Sequence, residues 1–264
     1  MIPDFKDSEL TVSNRVATLT FKRHDVRNAL TGTTLVDDIV ATVNWINGNK
    51  DVSALVITGE GSAFSAGGNV KDMAERKGDF GGTVEEVSEH YRRGIQRMPL
   101  AMSKLEVPAI AAINGPAIGA GFDLTNMCDI RIASSKAKFG ETFVNLGIIP
   151  GDGGAWFLQR LIGYQKAAEL TLTGRIIDAD EAKQLGIVLE ITEPDNLLAR
   201  AQHLAGEMAS KPPHAVRMTK RLMKMAQRQE LPDFLDLCAA FQGMCHNNED
   251  HLLAVENLLS KMAK

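Results

Sequence analysis

Twice in this chain an apolar, strand-like run gives way to a turn nearly stripped of side chains and then to a helix-like segment. The first instance is Ala54-Leu55-Val56-Ile57-Thr58, followed by Gly59-Glu60-Gly61 and then Phe64-Ser65-Ala66-Gly67-Gly68-Asn69. The second is Val107 to Ile113, followed by Asn114-Gly115-Pro116-Ala117-Ile118-Gly119-Ala120-Gly121 and the segment Asp123 to Met127. Repetition of strand, turn and helix predicts an α/β fold with a parallel sheet, in which ligands sit at the carboxyl ends of the strands. Both bare turns fall there. Small residues let backbone N–H groups approach a ligand closely, and Asp123 brings a carboxylate to the end of the second turn. Amides that hold a developing oxyanion beside an acid or base are what acyl chemistry requires; close packing of a strand-to-helix turn is the other reading.

Around these turns the pattern is regular. Leu10 to Val12 and Val16 to Phe21 alternate apolar and polar residues across Ser13-Asn14-Arg15, a hairpin signal. Leu30, Leu35, Val36, Ile39, Val40, Val43 and Ile46 recur at helical spacing, with Thr31 as N-cap and Gly48 as stop. Residues 76 to 84 read as a surface loop, Glu85 to Leu105 as one helix, and Asp129 to Ala133 as a further strand. From Ala155 the chain is almost all helix, which divides it into a core over residues 1–200 and a helical region over 201–264. The stripe Leu252, Leu253, Val255, Leu258 and Leu259 needs a partner surface, for which another subunit would serve.

Interspersed charges with a net of −4 argue against nucleic acid as the main partner. No apolar run approaches the roughly 20 residues of a membrane span, and the first residues lack a targeting pattern, so a soluble, cytoplasmic protein is expected. Cys128, Cys238 and Cys245 have no paired spacing, and no Cys/His cluster has zinc spacing; neither disulfide nor metal is expected. His246 and His251 lie five apart, on different faces if one helix carries both.

Three motifs compete for the bare turns. No phosphate-loop signature occurs, and the dinucleotide pattern begun by Gly119-Ala120-Gly121 fails at Leu124. Ala63-Phe64-Ser65-Ala66-Gly67 approximates a nucleophile elbow, which would make Ser65 the nucleophile of a serine hydrolase with His203 or His214 as base; yet Gly59 to Ala63 separates the strand from that serine.

Five segments in order resemble the crotonase superfamily, the enoyl-CoA hydratases and isomerases. Arg27-Asn28-Ala29-Leu30 is similar to its nucleotide-contact turn, Phe64 to Met73 and Asn114 to Asp129 to its two oxyanion segments, and Gly147 to Gly154 to its glycine-rich turn. Leu172-Thr173-Gly174-Arg175 through Leu185-Gly186-Ile187-Val188 is similar to its downstream helices. The resemblance implies a ββα spiral with a C-terminal helical trimerisation region, assembled as trimers or hexamers. It implies an acyl-CoA substrate, with coenzyme A entering as part of that substrate and no separate cofactor. It further implies that the amides of Ala66 and Ala120 form the oxyanion hole, and that Arg27, Ala29, Phe64 and the segment Ala66, Gly67, Gly68, Asn69, Val70 and Lys71 line the CoA moiety. Arg27 and Lys71 would meet phosphates, or remain solvated surface charges.

The chain departs from the family at its acids. Hydratases of the family hold water between two glutamates; Asp123 stands at the first position and Phe143, which neither gives nor takes a proton, at the second. Glu141 shares a face with Phe143 if the segment is extended, and Asp152 lies in the glycine-rich turn; either compensates, unless Glu141 is a solvated cap and Asp152 a turn residue. The expectation is an enzyme acting on an unsaturated acyl-CoA by hydration or double-bond isomerisation, with catalysis by Asp123, Glu141 and Asp152 and an acyl contact from Phe143. A non-catalytic acyl-CoA-binding protein is the third possibility.

Overall fold

The computed structural model describes residues 1–263. Ser8–Ser13 (β1) and Val16–Phe21 (β2) form the expected hairpin, closed by Asn14 and Arg15 at φ +50° and +66°. Positive φ at both central positions gives a turn whose twist matches the paired strands. The chain continues through Leu35–Asn47 (α1), Ala54–Gly59 (β3), Val70–Glu75 (α2), Val84–Arg93 (α3), Arg97–Lys104 (α4), Ala109–Ile113 (β4), Ala117–Ile118 (β5) and Ala120–Met127 (α5). Next come Ile130–Ser134 (β6), Lys138–Gly140 (β7), Gly154–Ile162 (α6), Tyr164–Thr173 (α7), Ile176–Asp178 (β8), Ala179–Gln184 (α8) and Glu190–Thr192 (β9). Leu197–Ala209 (α9), Pro213–Ala226 (α10), Leu231–His246 (α11) and Glu249–Met262 (α12) complete it.

Six strands form one sheet in the order β1-β2-β3-β4-β6-β9, parallel except for the opening hairpin. Both faces are covered, and the period of two decides by what. Leu55, Ile57, Ala109, Ala111 and Ile113 face one core with Leu35, Ile39, Val43 and Ile46 of α1 and Met98 and Met102 of α4. Their neighbours Ala54, Val56, Ile110 and Ala112 face the other, against Leu197, Ala201, Ala205 and Ala209 of α9. Alanine at every fourth position gives α9 a bare stripe that lies close on the sheet. A division at residue 200 therefore falls inside α9: the core layer runs to Ala209, and α10 to α12 follow it.

A row of cations fixes α10 to the rim of this core. Arg217 donates to the carbonyls of Ile46, Asn49 and Val52 at 3.0–3.3 Å and to Glu106 at 2.7 Å. Lys220 donates to Val107 O at 2.6 Å and Asp129 Oδ2 at 2.7 Å. Lys224 meets the carbonyls of Met102, Ser103 and Leu105, and burial pushes its ammonium down to about 8. Spaced at three and four residues, these side chains bring charged donors to carbonyls clustered at element ends. Beyond them, α12 leaves Leu252, Leu253, Val255, Leu258, Leu259 and Met262 exposed, the stripe expected from its pattern.

Three local expectations are corrected. The helix expected over Glu85 to Leu105 breaks at Gly94, whose ψ of −110° leaves the helical region, into α3 and α4. Thr31 caps nothing: α1 starts at Leu35, the Thr31 hydroxyl accepts from Asn69 N at 2.8 Å, and Leu30 N donates to Gly67 O at 2.7 Å. Residues 30–31 are thus tied to the first bare turn. His246 and His251 do not diverge on one helix. Asn248 caps a new helix between them, which turns the rings together, with Nδ1 of His246 at 3.1 Å from Nε2 of His251.

Candidate active site

The two bare turns lock together at the carboxyl edge of the sheet. Phe64 and Ser65 donate their amides to Pro116 O at 3.0 and 3.2 Å, and Ile118 N returns a bond to Ser65 O at 3.0 Å. This short parallel pairing is tight enough to dictate glycine. A Cβ on Gly67 (φ +74°) would overlap the carbonyl of Ile118, and one on Gly121 would overlap that of Ser65. A third turn closes the group: Asn28 (φ +53°) donates to Glu60 O and Ala63 O at 3.1 and 2.9 Å and accepts from Arg23 N.

That third turn changes the expected oxyanion hole. Ala66 N donates to Arg27 O at 2.9 Å, so the amide first assigned as a donor is already committed. Among the described residues nothing accepts from the amides of Gly68 or Ala120. Both residues border one small chamber, together with Phe143 and Asp152. The free pair of donors is therefore Gly68 and Ala120.

Behind this pair, Asp123, Glu141 and Asp152 converge, at 0, 0 and 3% exposure. None of their six side-chain oxygens accepts from another residue's N–H or hydroxyl group. Asp123 adjoins both Glu141 and Asp152, so a proton shared between two carboxyl groups is the one hydrogen bond open to these acids. Burial, followed by the charges of Asp152 and Glu141, lifts Asp123 far above the usual carboxylate range. Burial likewise lifts Asp152, and pushes Glu141 up to about 7. Three adjoining buried carboxyl groups resist ionising together, so the cluster tends to keep protons that free carboxyl groups would lose. Asp123 rests on the first turn of α6: a Cβ on Gly154 would overlap both of its carboxylate oxygens.

The remaining expected residues separate into three groups. Phe143 lines the chamber, its ring lying across Gly119. Arg27, Val70 and Lys71 are exposed, while Asn69 caps α2 through its bond from Lys71 N at 3.1 Å. Phe64 and Ala29 are buried, and the Phe64 ring packs on Phe21 at 5.8 Å between centroids; Phe64 belongs to the core and not to a ligand wall. Ser65 is fully buried too. Its hydroxyl donates to Asn28 O at 2.7 Å and accepts from Gly67 N at 3.1 Å, with no histidine in contact, so it braces the turn and lacks the base of a nucleophile.

Sequence reading missed the far wall. Met73, Phe80, Tyr91 and Ile95 reach the chamber from α2, the loop after it, α3 and the break that follows. Phe80 ends a short 3-10 turn, Gly78–Phe80, inside the segment read as plain surface loop. Tyr91 packs its ring on Gly151, and burial, then the charges of Asp152 and Asp79, raises its phenol. Tyr91 and Ile95 lie on either side of the break at Gly94, so helical periodicity does not announce that both reach the chamber. Among the described residues, no group of three or more His, Cys, Asp or Glu side chains is disposed to hold a metal ion. No described helix is long and apolar enough to cross a membrane.

Comparison with known proteins gives a consistent picture. The family described as enoyl-CoA hydratase/isomerase matches residues 11–257. A short-chain-enoyl-CoA hydratase of Clostridium acetobutylicum is 34% identical over 255 residues, spanning 96% of this chain and 94% of that protein. A 2,3-dehydroadipyl-CoA hydratase of Escherichia coli is 35% identical over 226 residues, 85% of each. Among solved structures, an enoyl-CoA hydratase from Bacillus anthracis superposes with a TM-score of 0.90 at 31% identity, covering 97% of both chains.

Proposed function

The chain belongs to the enoyl-CoA hydratase/isomerase family, and from that premise we propose that it hydrates a 2-enoyl-CoA, with Gly68 and Ala120 gripping the thioester oxygen and the three buried acids moving the protons. One observation carries this reading: the two free amides and Asp152 border the same chamber, and Asp152 is in turn backed by the buried carboxyl groups of Asp123 and Glu141. As water adds, its oxygen bonds to C3, one proton of the water passes to an ionised carboxylate, and a protonated acid delivers a proton to C2. The electron pair of the double bond passes transiently onto the thioester oxygen, where each amide would be worth about 3 kcal/mol of barrier.

Asp123 is the central proton carrier because it faces both other acids, and Glu141 supplies the second acid that Phe143 cannot. A cluster that keeps a proton beside an ionised neighbour serves as acid and base together, which supports hydration without the usual pair of glutamates. The second reading, migration of a double bond from C3 to C2, is favoured by Phe143, since isomerisation needs a single group that takes and returns one proton. A binder without turnover would gain nothing from burying three acids. The exposed Arg27 and Lys71 are available to the phosphates of CoA, and the apolar face of α12 fits assembly with other copies, as trimers or hexamers that light scattering would resolve.

Asp123→Asn should lower kcat by about 10³-fold or more while leaving the Kd for a saturated acyl-CoA within about threefold. Parent enzyme is assayed on 2-enoyl- and 3-enoyl-CoA, following loss or gain of the conjugated thioester absorbance. Full activity in Asp123→Asn would refute its role, and turnover of 3-enoyl-CoA alone would select the second reading.

A further inference from the structure

The chamber between the free amides and the far wall measures about 40 Å³, room for about three groups the size of a water molecule, each of which needs roughly 10–15 Å³ of such space. Phe143 and Ile148 close it on one side, Met73 and Phe80 on another, and Tyr91 and Ile95 at the back. A much larger cavity of about 930 Å³ lies on the other side of Asp152, between α4, α6 and α10. It does not extend the chamber, because Gln96 Nε2 holds Gly151 O at 2.8 Å and the Tyr91 ring packs on the same glycine.

We propose that the acyl group is limited to about four carbons and that Phe143 sets this limit. The proposal rests on the acyl-CoA reading and adds the size of the substrate. The thioester oxygen is fixed by amides on two interlocked turns, so the acyl chain must run from Ala120 toward Phe143 and Tyr91. A chain of four carbons places three beyond the oxygen-bearing carbon, the number of heavy atoms a space of this size holds. The aromatic side chain at 143 therefore has a second consequence besides removing an acid: it fills the path that a longer chain would take.

Binding of saturated thioesters tests this independently of turnover. In an open apolar channel, octanoyl-CoA would bind on the order of a hundredfold tighter than butyryl-CoA, from four more buried methylenes. The expected result is the reverse: octanoyl-CoA binding at least about tenfold weaker than butyryl-CoA by calorimetry. Phe143→Ala should tighten octanoyl-CoA at least tenfold and change butyryl-CoA by less than threefold, and Met73→Ala serves if that variant does not fold. Tighter octanoyl-CoA binding by the parent would overturn the size limit. An unchanged ratio in a folded Phe143→Ala would overturn the assignment to Phe143. A preference for butyryl-CoA with no turnover of any enoyl-CoA removes the proposed reaction and leaves the size limit standing; equal turnover of four- and eight-carbon enoyl-CoA does the opposite. Failure to bind any thioester removes both.

Discussion

Replacing Glu141 by glutamine should make the protein more stable and less active, with the gain in stability confined to neutral and alkaline pH. Burial moves the Glu141 carboxyl from 4.5 to about 7, so the folded state holds this proton more tightly than the unfolded chain does. A raised acid stabilises nothing at high pH: its contribution is whole below about 4.5, is lost as pH rises through 7, and leaves a buried charge above that. The shift corresponds to about 3 kcal/mol. With about 2.1 cal/mol/K of unfolding entropy per residue over 264 residues, that is a Tm gain of about 5 °C at pH 8. At pH 5 parent and variant should melt within about 1 °C of each other, since both are neutral there. Glutamine keeps an N–H donor for Asp123 and cannot exchange a proton, so kcat should fall by about 100-fold or more. Scanning calorimetry between pH 5 and 9 decides the matter. Parallel curves for parent and variant would refute a proton-sharing cluster with Glu141 as a member.

Gly154→Ala should displace the Asp123 carboxyl, whose oxygens its methyl group would overlap, lowering kcat by about 100-fold while CoA binding, measured by calorimetry, changes little. Ser65→Ala removes the brace to Asn28 O and Gly67 N and should cost about 1–2 kcal/mol in denaturant unfolding; turnover within tenfold of the parent would agree with a structural serine, and complete loss would revive the nucleophile. Arg217→Ala removes a donor from the carbonyls of Ile46, Asn49 and Val52 together with the ion pair to Glu106 and should cost about 1–3 kcal/mol. Faster amide exchange over Pro213–Ala226, with little change in kcat, is its signature.

Sequence reading reached the parallel sheet, both bare turns and the three acids because each leaves a local mark: alternation, runs of small residues, a carboxylate at a turn. It counted the amide of Ala66 as free because amide availability is not local. Ala66 and Gly68 look alike in the chain, and only the docking of Arg27 onto the turn uses up the first. Phe64 is a ligand contact by its place in a motif, and only the fold shows its ring turned onto Phe21 in the core. The cationic row of α10 was invisible for a similar reason, since Arg217, Lys220 and Lys224 answer to carbonyls more than 100 residues away. The break at Gly94 hid the wall made by Tyr91 and Ile95.

The interlocking of the two glycine turns also bears on how such a protein changes over generations. Its oxygen-gripping amides are held by the sheet and by glycines that admit no other residue, whereas Glu141 and Phe143 sit at the start of a short 3-10 turn and the far wall hangs on α2 and α3. On the proposed reading, substitution at position 143 or along that wall would alter which carbon skeleton is accepted, and through which acid it reacts, without moving the two free amides. Attachment and chemistry therefore evolve on separate parts of the scaffold, and the replacement of an acid by phenylalanine at 143 is a change that this arrangement tolerates at little risk to the rest.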